Sequence, residues 1–156
     1  MPLSAASVPP TPASTNCASP ACTASRYGLL TGRHPIRSGF GWVLNPGSAK
    51  SIHPSEITIA ESLKAQGYAT AMFGKWHLGD EDAYLPERRG FDQVLIHGGG
   101  GIGQTYPGSC GDAPGNTYFN PAIKHNGTFE KTTGYCTDVF FRQALQWIGA
   151  RKGGAP

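Results

Sequence analysis

The chain has 156 residues, of which 38% are hydrophobic and 15% are charged, and its formal net charge is +3. This length suits one packed domain, and no apolar run reaches the roughly 18–20 residues of a transmembrane helix. The mild positive charge suits an anionic small substrate, but the lysines and arginines form no cluster of the kind that binds nucleic acid. We therefore expect neither a nucleic acid nor a membrane as a partner.

The N-terminal segment, residues 1–15, is biased toward Pro, Ser and Ala and shows no hydrophobic periodicity. This composition predicts a low-complexity, disordered tail, and it lacks the basic and apolar regions of a signal peptide. Four cysteines are too few for a disulfide framework in a chain of this size, so they do not indicate whether the protein is in a reducing or an oxidising compartment. They are Cys17, Cys22, Cys110 and Cys136.

The first predicted element is a short helix over residues 22–32. Leu29 and Leu30 are expected to form its apolar face, and Gly32 suits its C-terminal cap. Cys22 would stand at the helix N-terminus, where free N–H groups and the helix dipole favour an anion. The following segment, residues 34–55, is rich in Pro and Gly and is predicted to be a loop.

A second helix is predicted over residues 56–66. Thr58 and Glu61 have the spacing of a capping box, and Gly67 would end the helix. Its buried stripe is expected to consist of Ile59, Ala60 and Leu63.

Two strands are expected after this helix, the first over residues 68–73 and the second over Gln93–Ile96. Gly74 is predicted to open a loop, which places Lys75 and His77 just beyond the carboxyl end of the first strand. Ligands of open α/β sheets gather at such strand ends.

The rest of the chain gives weaker signals. Residues 103–134 are predicted to be irregular, and residues 138–148 to form an amphipathic helix. Its apolar pattern is Val139, Phe140, Ala144, Leu145 and Ile148. The chain closes at residues 151–156 without a following strand, so we expect a truncated end and an interrupted fold.

Four residues carry side chains suited to chemistry on an anion. Arg26, one turn after Cys22, suits a tetrahedral oxyanion; Lys75 suits a charged oxygen; and His77 suits proton transfer near neutral pH. Taken singly, each also fits a plainer role, because lone cysteines are commonly inert core residues and Lys or Arg side chains are commonly surface charges.

Two other chemistries receive less support. Cys22 and His77 would also suit a thiol hydrolase, but no Asn or Asp is marked as the residue that orients the histidine. A zinc site is weaker still, because neither Cys-x-x-Cys nor His-x-x-x-His spacing occurs.

Two stretches resemble the signature segments of the type I sulfatases, the arylsulfatase family of the alkaline-phosphatase-like superfamily. They are CTASRYGLLTGR at residues 22–33 and GYATAMFGKWHLG at residues 67–79. RRGFDQVLIHGGGG and GYCTDVFFRQALQWI resemble segments that follow in the family, so the resemblance covers about residues 16–150. It implies a partial sulfatase catalytic domain of the α/β class, in which helices flank the central sheet of a loop-rich, partial alkaline-phosphatase-like sandwich.

The resemblance also implies a mechanism. Cys22 would be oxidised to formylglycine, whose hydrate cleaves the sulfate ester of a small molecule or a glycan. By the same resemblance, Arg26 orients the hydrated aldehyde, Lys75 binds a sulfate oxygen, and His77 hydrogen-bonds near the formylglycine hydroxyls.

The implied maturation partner is a formylglycine-generating enzyme or an anaerobic sulfatase-maturating enzyme. Because Ala24 stands where most relatives have Pro, we expect the anaerobic enzyme to act better.

The resemblance further implies a Ca²⁺ cofactor, to which Cys22 would contribute only through its formylglycine form. Calcium prefers about 6–8 oxygen ligands, yet the chain has no Asp or Glu before Cys22. Asp80 and Asp82 follow the second signature and do not match the metal motif of the family. We therefore expect an incomplete metal site.

These departures lead to the expectation of a sulfatase fragment that is inactive alone. Two alternatives stay open: a non-catalytic remnant or binding module of the same fold, and a related phosphonate or phosphate ester hydrolase. The family resemblance implies a periplasmic or secreted location.

Overall fold

The computed structural model describes residues 21–45, 48, 51–104, 106, 108–111 and 113–154. The predicted tail, Cys17 and the last two residues lie outside these ranges. Within them the helices are α1 (Cys22–Thr31), α2 (Ile59–Ala65) and α3 (Cys136–Ala150), and the strands are β1 (Ala71–Lys75), β2 (Gln93–His97), β3 (Ala122–His125) and β4 (Thr128–Lys131). Short 3-10 helices occur at Pro35–Ser38, Asp82–Tyr84 and Pro86–Arg88.

The strands form one mixed sheet in the order β1-β2-β3-β4. β1 and β2 are parallel, with Lys75 opposite His97, whereas the β2/β3 and β3/β4 pairs are antiparallel. The carboxyl ends of β1 and β2 therefore meet at one edge of the sheet. This architecture confirms the predicted α/β class with a central sheet between helices.

The hydrophobic core lies on both faces of the sheet, as the alternation of side chains along β2 requires. Val94 and Ile96 pack in a cluster with Tyr27 of α1, whereas Leu95 packs in a second cluster with Val139 of α3. α1 and α3 therefore cover opposite faces. Within the described residues no helix combines the length and apolarity needed to cross a membrane.

α1 ends one residue before the end of the predicted span, 22–32, and its buried face differs from the prediction. It is capped by Gly32, which is left-handed at φ 67° and donates its N–H to the carbonyl of Gly28. Leu29 is 76% exposed, so its assignment to the apolar face was wrong. Thr23 and Tyr27 lie on the buried face instead, because residues four apart share one face of a helix.

α2 begins with the predicted capping box between Thr58 and Glu61. Its predicted stripe was largely wrong: Ala60 is buried, but Ile59 and Leu63 are exposed. The helix lies directly on the backbone at Gly90, where an added Cβ would come within 2.3 Å of a backbone nitrogen of α2. This close approach admits alanine and leaves the larger side chains facing solvent.

The strands extend further than predicted. β1 includes Gly74, which pairs with Ile96 and does not open a loop, and β2 continues to residue 97. The prediction that residues 103–134 are irregular was wrong, because β3 and β4 form a hairpin there. Its turn residues Asn126 and Gly127 both have positive φ, 44° and 87°. Asn-Gly is a strong hairpin signal that the sequence reasoning missed.

α3 is longer than the predicted 138–148 and buries less of its apolar pattern. Val139 is buried, whereas Leu145 and Ile148 are 68% and 58% exposed. The ring of Phe73 lies 6.3 Å from that of Trp147, and the ring of His97 lies 6.0 Å from that of Phe140. α3 therefore runs opposite to β1, and its N-terminus lies toward the carboxyl edge of β1 and β2.

A buried arginine holds the start of α2 to the segment before β2. Arg89 is 2% exposed, and its guanidinium donates to the carbonyls of His53 (3.2 Å) and Glu56 and pairs with the Glu61 carboxylate at 3.4 Å. In return, the Thr58 hydroxyl donates to the Arg89 carbonyl at 2.8 Å. One buried side chain thus joins three acceptors on the segment that leads into α2 and on its first turn.

We expect Arg89→Met to lower the free energy of unfolding by about 2–4 kcal/mol, since it removes the hydrogen bonds of a buried guanidinium to two carbonyls and leaves the Glu61 carboxylate without its partner. Urea unfolding of the chain measures this loss. The matched control is Arg88→Met at the exposed neighbouring position, with an expected change within about 0.5 kcal/mol. Equal losses for the two variants would contradict the role assigned to Arg89.

Candidate active site

The first contact of the candidate site joins α1 to the loop after β1. Cys22 is the first residue of α1, and its Sγ lies 3.1 Å from Nδ1 of His77. His77 has a φ of 60°, in the left-handed region that residues other than glycine seldom adopt. Such backbone strain clusters at functional sites, where the surrounding structure holds it in place.

The imidazole of His77 is held in one tautomer. Its Nε2 lies 2.9 Å from the carbonyl oxygen of Leu44, which can only accept a hydrogen bond. Nε2 therefore carries the hydrogen, and in the neutral ring Nδ1 presents its lone pair to Cys22. Burial lowers the pKa of His77, and the charges of Lys75 and Arg26 add to this effect against the Leu44 hydrogen bond, so the ring is neutral at neutral pH.

Arg26 connects the start of α1 to the end of β1. Its NH1 donates to the carbonyl of Cys22 and its Nε to the carbonyl of Lys75, both at 3.0 Å. Burial lowers the pKa of Arg26, but an arginine keeps its charge throughout the physiological range. The guanidinium thus fixes the backbone on both sides of the site.

Lys75 is the last residue of β1 and is half-buried. Its positive charge lowers the pKa of both His77 and His97. In the part of the chain that the structure describes, neither Lys75 nor Arg26 forms an ion pair with a carboxylate. Two cations that no described carboxylate pairs with make this edge of the sheet suited to an anion.

The four residues predicted from the sequence therefore lie together at the carboxyl edge of β1. Cys22 contacts His77, and Arg26 contacts the backbone of Lys75. Their catalytic roles stay predictions.

Sequence reasoning missed His97, which lies opposite Lys75 at the end of β2. It is 8% exposed, and its Nδ1 is buried without a hydrogen-bond partner among the described residues. Burial lowers its pKa to about 4, and the charges of Lys75 and Arg26 contribute to this shift. The strand-end rule that selected Lys75 would also have found His97, had the second strand been extended by one residue.

The carboxylates near the site are already engaged or exposed. Asp80 accepts hydrogen bonds from the hydroxyl of Tyr106 and from the N–H of Cys110, the latter at 2.8 Å. Burial and the contact with Asp80 raise the pKa of Tyr106 to about 12. Asp82 lies exposed in a 3-10 helix. The described residues contain no group of three or more His, Cys, Asp or Glu placed to hold a metal ion, so they do not supply the donors that calcium needs.

The family model described as Sulfatase matches residues 13–156, nearly the whole chain. The chain belongs to the sulfatase family. This membership confirms the resemblance drawn from the two signature segments, both of which contribute residues to the site.

Curated relatives of this sulfatase chain include the steryl-sulfatase of Mus musculus, which is 41% identical over 119 residues, and arylsulfatase A of Homo sapiens, which is 43% identical over 109 residues. These matches cover 69% and 68% of the chain but 18% and 20% of the relatives. The chain therefore spans about a fifth of the length of these relatives.

Solved structures show the same fold. The crystal structure of Ps i-CgsB is similar at a TM-score of 0.68 and 27% identity, and covers 83% of this chain and 31% of its own. The structure of BT4656 in complex with its substrate D-glucosamine-2-N,6-O-disulfate is similar at a TM-score of 0.58 and 29% identity, over 83% of this chain and 22% of its own.

The buried His97 of this sulfatase chain should make stability depend on pH. Because its pKa falls from 6.5 to about 4 on folding, the unfolded chain takes up the proton first as the pH drops through this window. Above pH 6.5 the imidazole of His97 is neutral in both states, so its effect on the free energy of unfolding does not change with pH. Between pH 6.5 and 4 the unfolded chain alone gains the proton, and the free energy of unfolding falls by about 3 kcal/mol.

The measurement is urea unfolding of the wild type and of His97→Gln at pH 7 and pH 4. The free energy of unfolding of the wild type, relative to that of His97→Gln, should fall by about 3 kcal/mol between pH 7 and pH 4. His34→Gln, at an exposed position after α1, controls for loss of a histidine. A constant difference between wild type and His97→Gln would contradict the burial argument.

Proposed function

We propose that this chain carries the nucleophile-bearing part of an active site that hydrolyses sulfate esters through a formylglycine made from Cys22. The observation that carries the proposal is the 3.1 Å contact between Cys22 and the oriented, neutral His77, beside Arg26 and Lys75, which form no ion pair with a carboxylate among the described residues. Family membership supports sulfate as the anion.

The formylglycine supplies, when hydrated, one hydroxyl that displaces the alcohol from sulfur and a second that drives the release of sulfate. Nδ1 of His77 is placed to take the proton of a hydroxyl on the side chain of residue 22, because its lone pair already faces Sγ. The Leu44 carbonyl holds the opposite N–H throughout, so the ring does not turn as it gains and loses the proton.

Arg26 and Lys75 have different parts in this proposal. Arg26 keeps residue 22 in place through the backbone, and its charge adds to the local positive field. Lys75, the last residue of β1, supplies a point charge for a sulfate oxygen. Charges fixed before the reaction stabilise the charge that develops in the transition state.

The proposed substrate class is the sulfate ester of a small molecule or a glycan. Relatives named steryl-sulfatase and arylsulfatase A support the former, and the structure of BT4656 with its disulfated glucosamine supports the latter. The structure of Ps i-CgsB in complex with k-i-k-neocarrahexaose also supports a glycan. It is similar to this chain at a TM-score of 0.68 and 26% identity, over 82% of this chain and 30% of its own.

The maturation partner we propose is an enzyme of the formylglycine-generating or the anaerobic sulfatase-maturating class. Calcium, which the family resemblance implies, lacks a donor set among the described residues. No step of the reaction is therefore assigned to it.

The first test uses a protein of the relatives' length that contains this segment, co-expressed with a maturation enzyme. Peptide mass spectrometry should detect the aldehyde at position 22, and an aryl sulfate should be hydrolysed. Cys22→Ala should abolish turnover because it removes the precursor of the nucleophile. Cys136→Ala, in the core cluster on the other face of the sheet, should retain it.

Two results would redirect the proposal. Conversion of Cys22 without hydrolysis of any sulfate ester would favour a binding module, and faster hydrolysis of aryl phosphates or phosphonates would favour the related ester hydrolases. Turnover by the Cys22→Ala protein would refute the nucleophile assignment.

A second test concerns the charge of Lys75. In the same protein, Lys75→Ala should lower kcat/KM for the aryl sulfate by at least about 10²-fold, the scale expected for losing one preorganised charge-stabilising donor. Lys131→Ala, on the exposed β4, is the matched control and should leave kcat/KM unchanged. Similar losses for both variants would mean that only net charge matters.

A further inference from the structure

Gly99 lies against the edge of the His77 imidazole. A Cβ at this position would come within 2.8 Å of Cδ2 and 2.9 Å of Nε2 of His77. Both distances are shorter than those that real Cβ atoms show. A side chain at residue 99 would therefore clash with the ring of His77 unless the ring or the backbone of residue 99 shifts.

The requirement for glycine here comes from the contact and not from the backbone. Gly99 is absent from the glycines with positive φ, whereas Gly100 in the same run has a φ of 68°. The preceding Gly98 is also crowded, but its added Cβ would meet the carbonyl oxygen of Cys110 at 2.1 Å. Of these three glycines, only Gly99 would meet His77.

The affected atom is the one that fixes the tautomer. Nε2 donates to the Leu44 carbonyl, and this bond directs Nδ1 toward Cys22. If a methyl group at residue 99 displaced the Nε2 edge, the hydrogen bond to Leu44 would lengthen and Nδ1 would turn away from Sγ. The ring is thus held by an acceptor at one nitrogen, a sulfur at the other, and a bare backbone along its edge.

We infer that Gly99 is a positioning residue for His77, and that its missing side chain seats the imidazole between Leu44 and Cys22. The consequence for catalysis rests on the proposed function, whereas the placement of the ring does not. The inference extends the site to the glycine run that follows β2.

The test uses the 156-residue chain with unmodified Cys22 and compares Gly99→Ala with the wild type. The control is Gly41→Ala, where an added Cβ would make an ordinary 3.6 Å contact with Ile36. In ¹⁵N spectra of the imidazoles at pH 8, His77 should show a single Nε2–H tautomer in the wild type and in Gly41→Ala. Gly99→Ala should change these signals.

A second readout is the rate at which iodoacetamide alkylates Cys22, followed by peptide mass spectrometry at one pH. The new S–C bond forms as iodide leaves, and the thiol proton passes to Nδ1 of His77. Gly99→Ala should slow this step by about tenfold to 10²-fold, because a displaced Nδ1 accepts the thiol proton less well in the transition state. Gly41→Ala should not slow it.

A double-mutant cycle keeps the inference testable if Gly99→Ala folds poorly. With His77→Ala the clashing ring is gone, so adding Gly99→Ala should cause no further fall in the thermal midpoint. An equal fall in both backgrounds would overturn the inference, as would unchanged His77 signals and alkylation in Gly99→Ala. Neither readout uses a sulfate ester, so a failure of the proposed hydrolysis is recorded separately.

Discussion

A single guanidinium group sets the geometry on which the rest of the site depends. Arg26 joins the carbonyl of the first residue of α1 to the carbonyl of the last residue of β1, at 3.0 Å each. Because the guanidinium is planar and its donors point in fixed directions, the two hydrogen bonds restrict how the two carbonyls lie relative to each other. The group is half-buried, so water competes weakly for these bonds.

That arrangement brings a helix start and a strand end together, and the remaining control comes from the backbone. The Leu44 carbonyl fixes the tautomer of His77, and Leu44 is itself tied to α1, because its N–H donates to the hydroxyl of Thr23 at 3.1 Å. The helix that presents Cys22 therefore also anchors the acceptor that orients its partner. The position of Cys22 and the orientation of His77 therefore both depend on the placement of α1.

The electrostatics of the sheet edge follow from burial. Arg26 keeps its charge, while burial lowers the pKa of His77 and His97 and holds both imidazoles neutral. The edge thus combines fixed positive charge with neutral hydrogen-bonding groups. An entering anion lowers the free energy of such a site, and a neutral imidazole there can accept a proton.

The sequence by itself determined the features that depend on local physics. The Thr58–Glu61 capping box and the end of α1 at Gly32 involve residues within one or two helical turns of each other. The residue types and their spacing therefore suffice to predict them. The strand-end rule likewise identified Lys75 and His77. The Asn126-Gly127 turn was equally local, and reading it would have revealed the β3–β4 hairpin.

Only the tertiary structure decided which apolar side chains are buried and what surrounds His77. Leu29, Ile59 and Leu63 have the periodicity of core residues, yet they face solvent because a helix face is buried only where another element covers it. The Leu44 carbonyl and Gly99 reach His77 from 33 and 22 positions away, and neither a backbone oxygen nor a missing side chain leaves a pattern in the sequence. Contacts between distant segments exist only once the sheet and its covering helices have brought those segments together.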